Sequence, residues 1–190
     1  VGRLLTILNS EKIDSKTMFQ GKLLHVQCDT VELPNGHTST REIIRHQGAV
    51  VILPIFEDGS ILLEKQFRYA PKQIFIELPA GKIDKGEDGL ATGKRELLEE
   101  TGYLANKWTF LANIYPAIGY ADEKMDLYLA QDLNFVGHQR DEDEFLETFT
   151  VTLDEALELI ISNQIGDAKT AIGLFWAEKI LKDHWTFEDE

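Results

Sequence analysis

The sequence holds one cysteine, Cys28, so no disulfide can close within the chain, which agrees with a reducing, cytoplasmic setting. It is short of positive charge. Nineteen Lys and Arg stand against 33 Asp and Glu, a formal net charge of -14. Such a surface repels phosphate backbones and anionic lipid, so neither nucleic acid nor membrane is expected as a general partner. A small anionic substrate would need local cations or a metal ion to offset that field. No run of 18 apolar residues is present, and the start, "VGRLLTILNSEKIDSK", has too short an apolar patch and no small-residue cleavage site, so no signal peptide is expected. The five histidines, His25, His37, His46, His138 and His184, show no metal-ligand spacing, and Cys28 has no recognisable partner for nucleophilic catalysis. No Pro-, Gly- or Ser-rich linker, internal repeat or low-complexity tract divides the chain. What remains, 190 residues with 43% hydrophobic and 27% charged, suits one globular domain with a small appendage.

The N-terminal part, through about His46, alternates apolar and polar residues, and "PNG" (Pro34 to Gly36) between two such runs signals a hairpin. "AVVILPIF" and "ILLEKQFRY" read as strands around an Asp58-Gly59 turn, and "QIFIELPAGK" as another strand running into glycine. "KWTFLANIYP" and "KMDLYLAQDL" add two more. Helical periodicity covers Asp88 to Thr101, then "TLDEALELIISNQ" with a cap at Thr152 or Asp154, then "DAKTAIGLFWAEKILKDH", where Phe175 and Trp176 read as packing residues. Strands before, between and after helices indicate an α+β or mixed-sheet layered fold. The reading is a small N-terminal sheet over residues 1–46 followed by one domain over 47–190.

The stretch "GKIDKGEDGLATGKRELLEETGY", Gly81 to Tyr103, concentrates charge on its helix. At 100° per residue, Leu90, Ala91, Leu97, Leu98 and Thr101 share one arc, and Glu96, Glu99 and Glu100 fall on the other, three and four residues apart. Like charges at that spacing destabilise a bare helix by a few tenths of a kcal/mol per pair. A solvated face relieved by Arg95 is one explanation. The other is a site for a hard divalent cation, which takes carboxylate oxygens and keeps waters for a phosphate-bearing substrate.

The flanking letters choose between them. The stretch resembles the Nudix box, G-x5-E-x7-R-E-U-x-E-E-x-G-U with U a bulky apolar residue. Gly81, Glu87, Arg95, Glu96, Glu99, Glu100 and Gly102 fill every fixed position. Leu97 fills one U, and Tyr103 the last, where an aliphatic residue is commoner. Seven fixed letters at roughly 7% each would coincide by chance in about one chain of this size in 10⁶.

The resemblance implies an α/β/α sandwich with a mixed sheet, preceded by a small antiparallel sheet, and hydrolysis of a nucleoside diphosphate linked to another moiety. It implies that the helix glutamates bind Mg²⁺ or Mn²⁺, that Arg95 orients a glutamate by salt bridge and that Glu87 supports the loop. "ELPAGKID", "YPAIGYADEKMDLYLA" and "RDEDEFLE" together resemble the ADP-ribose pyrophosphatase subfamily over most of the chain. On that resemblance Ala80 offers a backbone carbonyl to a metal, with Glu96, Glu100 and Glu99 as carboxylate ligands. Arg68 meets the substrate phosphates, Arg41 and Glu42 the adenosine end, and the acidic pair after Pro116 and Gly119 adds Glu123, although Ala117 and Ile118 depart from the subfamily's usual letters. The acidic run Asp141 to Glu144 lies between a strand and the segment "FTVTLDEAL". By resemblance to a mobile catalytic loop it supplies Glu142 as general base and Glu144 as a further metal ligand, with Glu99 the next candidate for the base. The expected activity is metal-dependent cleavage of ADP-ribose to AMP and ribose 5-phosphate by a homodimer whose N-terminal sheet packs or exchanges across the two-fold axis. The alternatives are hydrolysis of another nucleotide sugar, such as a GDP-sugar, and a Nudix-fold nucleotide sensor. A sensor would generally lack box glutamates, and this chain keeps all of them.

Overall fold

The computed structural model describes residues 8–137, 145–182 and 185. The chain forms two compact units, one of residues 1–47 with 117–124 and one of 48–116 with 125–190. The first contains an antiparallel sheet of β1 (Glu11–Gln20), β2 (His25–Glu32) and β3 (Thr38–Arg45), in the order β1-β2-β3. The β2–β3 turn falls on the "PNG" signal. Gly36 takes φ 79°, a region open to glycine, and its amide donates to the Leu33 carbonyl at 2.8 Å. The segment 117–124 joins this sheet through the Ile44 amide, which donates to the Tyr120 carbonyl at 2.8 Å.

The second unit carries two sheets. One is ordered β10-β5-β6, from β5 (Ile61–Arg68), β6 (Gln73–Glu77) and β10 (Leu146–Val151). The other is ordered β7-β4-β9-β8, from β4 (Ala49–Pro54), β7 (Ala80–Lys82), β8 (Tyr103–Ile114) and β9 (Met125–Phe135). β4 runs parallel to β9 and antiparallel to β7, so the sheet is mixed.

β4, "AVVILP", is apolar throughout because both of its faces are covered. Val50 and Ile52 pack with Leu97 of helix α1 (Gly89–Thr101) on one side. Val51 and Leu53 pack on the other with Ala156 of α2 (Leu153–Ile161) and with Leu174 and Ala177 of α3 (Ala168–Lys182). Period-two alternation along one strand therefore generates the α/β/α layering. Thr152 caps α2 in a capping box with Glu155, one of the two residues read as its start.

Two expectations for the helices change. Ala91 is exposed, Leu90 and Leu98 are half-buried, and Glu100 is buried at 3% exposure instead of sharing a solvated arc. The last turn of α1 lies against β7, which covers the side on which Glu100 stands. Phe175 is exposed, whereas Trp176 packs against the main core.

Candidate active site

The site begins at the end of α1 and the strand before it. Asp88 caps the helix by accepting the Ala91 amide at 2.8 Å, and Gly102 ends it in the left-handed region at φ 77°, donating to the Leu98 carbonyl. Two of the glycines in the stretch thus have backbone or packing roles. Gly102 supplies the positive φ. Gly81 supplies room, since a Cβ added there would lie 1.9 Å from Oε1 of Glu96.

Arg95 is the hub. Its Nε and Nη2 donate to the two oxygens of Glu87 at 3.2 and 3.1 Å, and its Nη1 donates to Glu96 at 2.9 Å and to Glu99 at 2.8 Å. Glu87 also accepts from the Thr92 hydroxyl at 2.9 Å, which ties the loop before α1 to its first turn. Hydrogen bonds from Arg95, then Thr92, hold the Glu87 carboxyl below its ordinary pKa. The bonds to Glu87 come first in pushing the Arg95 guanidinium above its ordinary value. Partial burial opposes them, and Glu96 and Glu99 add to them. Glu100 accepts the Ala80 amide at 3.2 Å. The structure therefore brings Ala80, Arg95, Glu96, Glu99 and Glu100 into one place.

These donors suit a hard divalent cation: three carboxylates on two adjacent turns, one buried, next to strand backbone that only glycine lets approach so closely. Among the described residues no three His, Cys, Asp or Glu side chains already converge as a ready cation site. Arg95 instead bridges Glu96 and Glu99, taking one oxygen of each carboxylate through Nη1.

Arg68 ends β5 beside a group that the sequence did not reveal. Its Nε and Nη2 donate to Glu77 at 2.7 and 2.8 Å, and Lys169 donates to the same carboxylate. Burial works to raise the Glu77 pKa, but the Arg68 hydrogen bonds and the Lys169 charge outweigh it and hold the group below its ordinary value. Glu64, 0% exposed, stands opposite Glu77 in the β5–β6 register. These partners escaped because Lys169 and Glu77 are 92 residues apart and no local pattern links them. The one available signal was a glutamate inside each of two strongly apolar strands.

Arg41, Glu42 and Glu123 belong to the first unit. Arg41 is exposed and donates to the Ser39 hydroxyl at 2.9 Å and the Thr40 carbonyl at 2.8 Å. Glu42 pairs with Cys28 in the β2–β3 register. Glu123 lies 3.7 Å from Nε2 of His46, and its neighbour Asp122 accepts from Arg45 at 3.0 Å and from the His46 amide at 2.8 Å. Glu142 and Glu144 lie outside the described residues.

Comparison with known proteins places this geometry. Residues 11–44 match the nucleoside diphosphate sugar hydrolase N-terminal domain. An ADP-ribose pyrophosphatase of Bacillus subtilis is 43% identical over 169 residues, 88% of this chain and 91% of that protein. A methanol dehydrogenase activator of Bacillus methanolicus is 41% identical over 170 residues, 88% of this chain and 92% of its own. The crystal structure of an ADP compounds hydrolase superposes with a TM-score of 0.84 at 28% identity, covering 94% of this chain and 97% of that one. Residues 45–171, which contain the acidic helix and its strand, match the NUDIX domain, and the chain belongs to that family.

Proposed function

We propose that the protein hydrolyses the pyrophosphate bond of ADP-ribose, giving AMP and ribose 5-phosphate, with Mg²⁺ as the working ion and Mn²⁺ as a substitute. The family membership makes it a hydrolase of pyrophosphate bonds that uses a divalent metal. The observation that carries the substrate is the 43% identity to an ADP-ribose pyrophosphatase over nearly the full length of both chains.

Glu96, Glu99 and Glu100, with the Ala80 carbonyl, would hold the metal. When bound there it would polarise the phosphoryl oxygens and lower the pKa of an attacking water. Arg95 orients Glu96 and Glu99 through one nitrogen while Glu87 fixes its other edge. Arg68 offers a planar cationic fork that suits a phosphate better than a lysine point charge. Arg41, Glu42 and Glu123 take the nucleoside end, and Glu142 serves as the general base with Glu144 as a further ligand. The protein acts as a homodimer, and its single cysteine fits a cytoplasmic setting.

The test is a panel of nucleotide sugars assayed with Mg²⁺ for release of the nucleoside monophosphate. ADP-ribose is expected to be cleaved faster than GDP-mannose or dinucleoside polyphosphates. A tenfold or greater preference in kcat/KM for a guanine nucleotide sugar would reverse the substrate assignment and leave the hydrolase intact.

A further inference from the structure

The first turn of α3 is built onto the end of β6. Asp167 accepts the Thr170 amide at 3.0 Å and the Thr170 hydroxyl at 2.6 Å, and it pairs with Lys169 at 2.9 Å. The same Thr170 hydroxyl accepts the Leu78 amide at 2.8 Å, while Lys169 reaches Glu77, one residue earlier. A buried carboxylate is thus fixed from its backbone side and its side-chain side by one helix turn. Its burial, at 2% exposure, is sustainable because two cations satisfy it.

What Glu77 does to Arg68 follows from guanidinium geometry. Hydrogen bonds to Glu77 come first in raising the Arg68 pKa, burial opposes them, and the charges of Glu77, Glu64 and Glu100 add to them. Glu77 takes the edge formed by Nε and Nη2, one bond to each oxygen. That leaves Nη1 and the second Nη2 proton, the end of the fork, on a side chain that is 42% exposed. A fork held by one edge presents the other edge in a fixed plane, and two parallel N–H donors match two oxygens of a phosphate.

We propose that Glu77, locked by Lys169, is a positioning residue that turns the outer edge of the Arg68 guanidinium toward the substrate's diphosphate. This rests on the reading of Arg68 as a phosphate contact. Glu77 touches no substrate and acts through Arg68 alone.

The experiment compares wild type, Arg68→Ala, Arg68→Lys, Glu77→Gln and the Arg68→Ala/Glu77→Gln double variant with ADP-ribose at saturating Mg²⁺. Losing a charge-assisted pair predicts that Arg68→Ala raises KM about tenfold or more. Glu77→Gln raises KM in the same direction with kcat changed by less than about threefold, and the double variant is no worse than Arg68→Ala. Arg68→Lys, which keeps a charge for Glu77 but has no second edge, matches Arg68→Ala in KM. If Arg68→Ala keeps wild-type kcat and KM, the reading of Arg68 is wrong and the positioning role falls with it. If Arg68→Ala is impaired but Glu77→Gln has wild-type KM, or the two effects multiply in the double variant, only the positioning role is overturned. Should Glu77→Gln fail to fold with Lys169 left buried, Glu77→Gln/Lys169→Met removes both charges and is judged by the same criteria. Wild-type KM in Arg68→Lys overturns the edge argument however the Glu77 variants behave.

Discussion

Glu100 carries a carboxylate at 3% exposure, a placement that costs several kcal/mol for an ion unless its oxygens are satisfied. The Ala80 amide supplies one hydrogen bond, and a cation would supply the charge balance. Glu100→Gln keeps the acceptor and the volume and removes the charge. The apo protein is expected to hold or raise its Tm, because a buried charge and its repulsion from the like-charge helix neighbour Glu96, four residues away, are relieved. Turnover should collapse at limiting Mg²⁺, with apparent metal affinity down by at least the roughly 10–100-fold that losing an outer-sphere partner costs. A calorimetric scan and a Mg²⁺ titration of the rate check both halves, and near-wild-type turnover at limiting Mg²⁺ would remove the helix as the metal site. At this scale the sequence was most legible where chemistry demands fixed letters at fixed spacing: Gly81, Glu87, Arg95, Glu96, Glu99, Glu100 and Gly102 are strung along one helix from the loop before it to its C-cap, with Arg95 bonded to Glu87, Glu96 and Glu99. It was silent about Glu77, Lys169 and Thr170, whose bonds join positions 92 apart and leave no spacing to read.

The packing of β7 on α1 shows why two kinds of glycine must be distinguished. Gly81 has no positive φ, so its role is close approach: the Glu96 carboxylate lies where a Cβ would be. That carboxylate is the far end of a flexible side chain and can swing away at little cost to the fold. Gly81→Ala is therefore expected to leave Tm within a few degrees while displacing Glu96 and weakening apparent Mg²⁺ affinity about tenfold or more. Gly173 is the control. A Cβ there would lie 2.3 Å from Cδ1 of Leu78 in the main core, so Gly173→Ala sets about 1 kcal/mol of helix propensity against overpacking of about 1–3 kcal/mol. It should lower Tm without changing the Mg²⁺ titration. Equal effects of both variants on Tm, with none on metal, would show that Gly81 serves packing only. Among elements, the hairpins at "PNG" and "DG" were readable because turns use few residue types: Gly59 takes φ 83° and Asp58 accepts the Ser60 amide at 2.9 Å. β1 was not separately readable, since its ten residues are all exposed and no alternation of burial shapes "EKIDSKTMFQ".

The chain as a whole poses a problem of too little core in its first unit. Only Asp29 and Val31 are buried among the described residues of 1–47 and 117–124, and Ile13, Met18 and Phe19 on β1 are each 55% exposed. A three-stranded sheet with so little buried apolar surface does not stand alone in water. That residues 117–124 belong with this unit could not be read from sequence, because a return of the chain after 70 residues leaves no local trace. A second copy of the chain is the proposed cover for β1. Stable interfaces bury about 800 Å² per partner, and an exposed ten-residue strand with three large apolar side chains offers a suitable centre for one. Light scattering at micromolar concentration is expected to give twice the chain mass. Ile13→Lys with Phe19→Lys should shift the protein to monomer and lower kcat/KM for ADP-ribose, while the acidic helix, which lies in the other unit, keeps its Mg²⁺ dependence in whatever activity remains. A wild-type protein that is monomeric and fully active at that concentration would exclude the dimer. A double variant that stays dimeric would move the interface off β1.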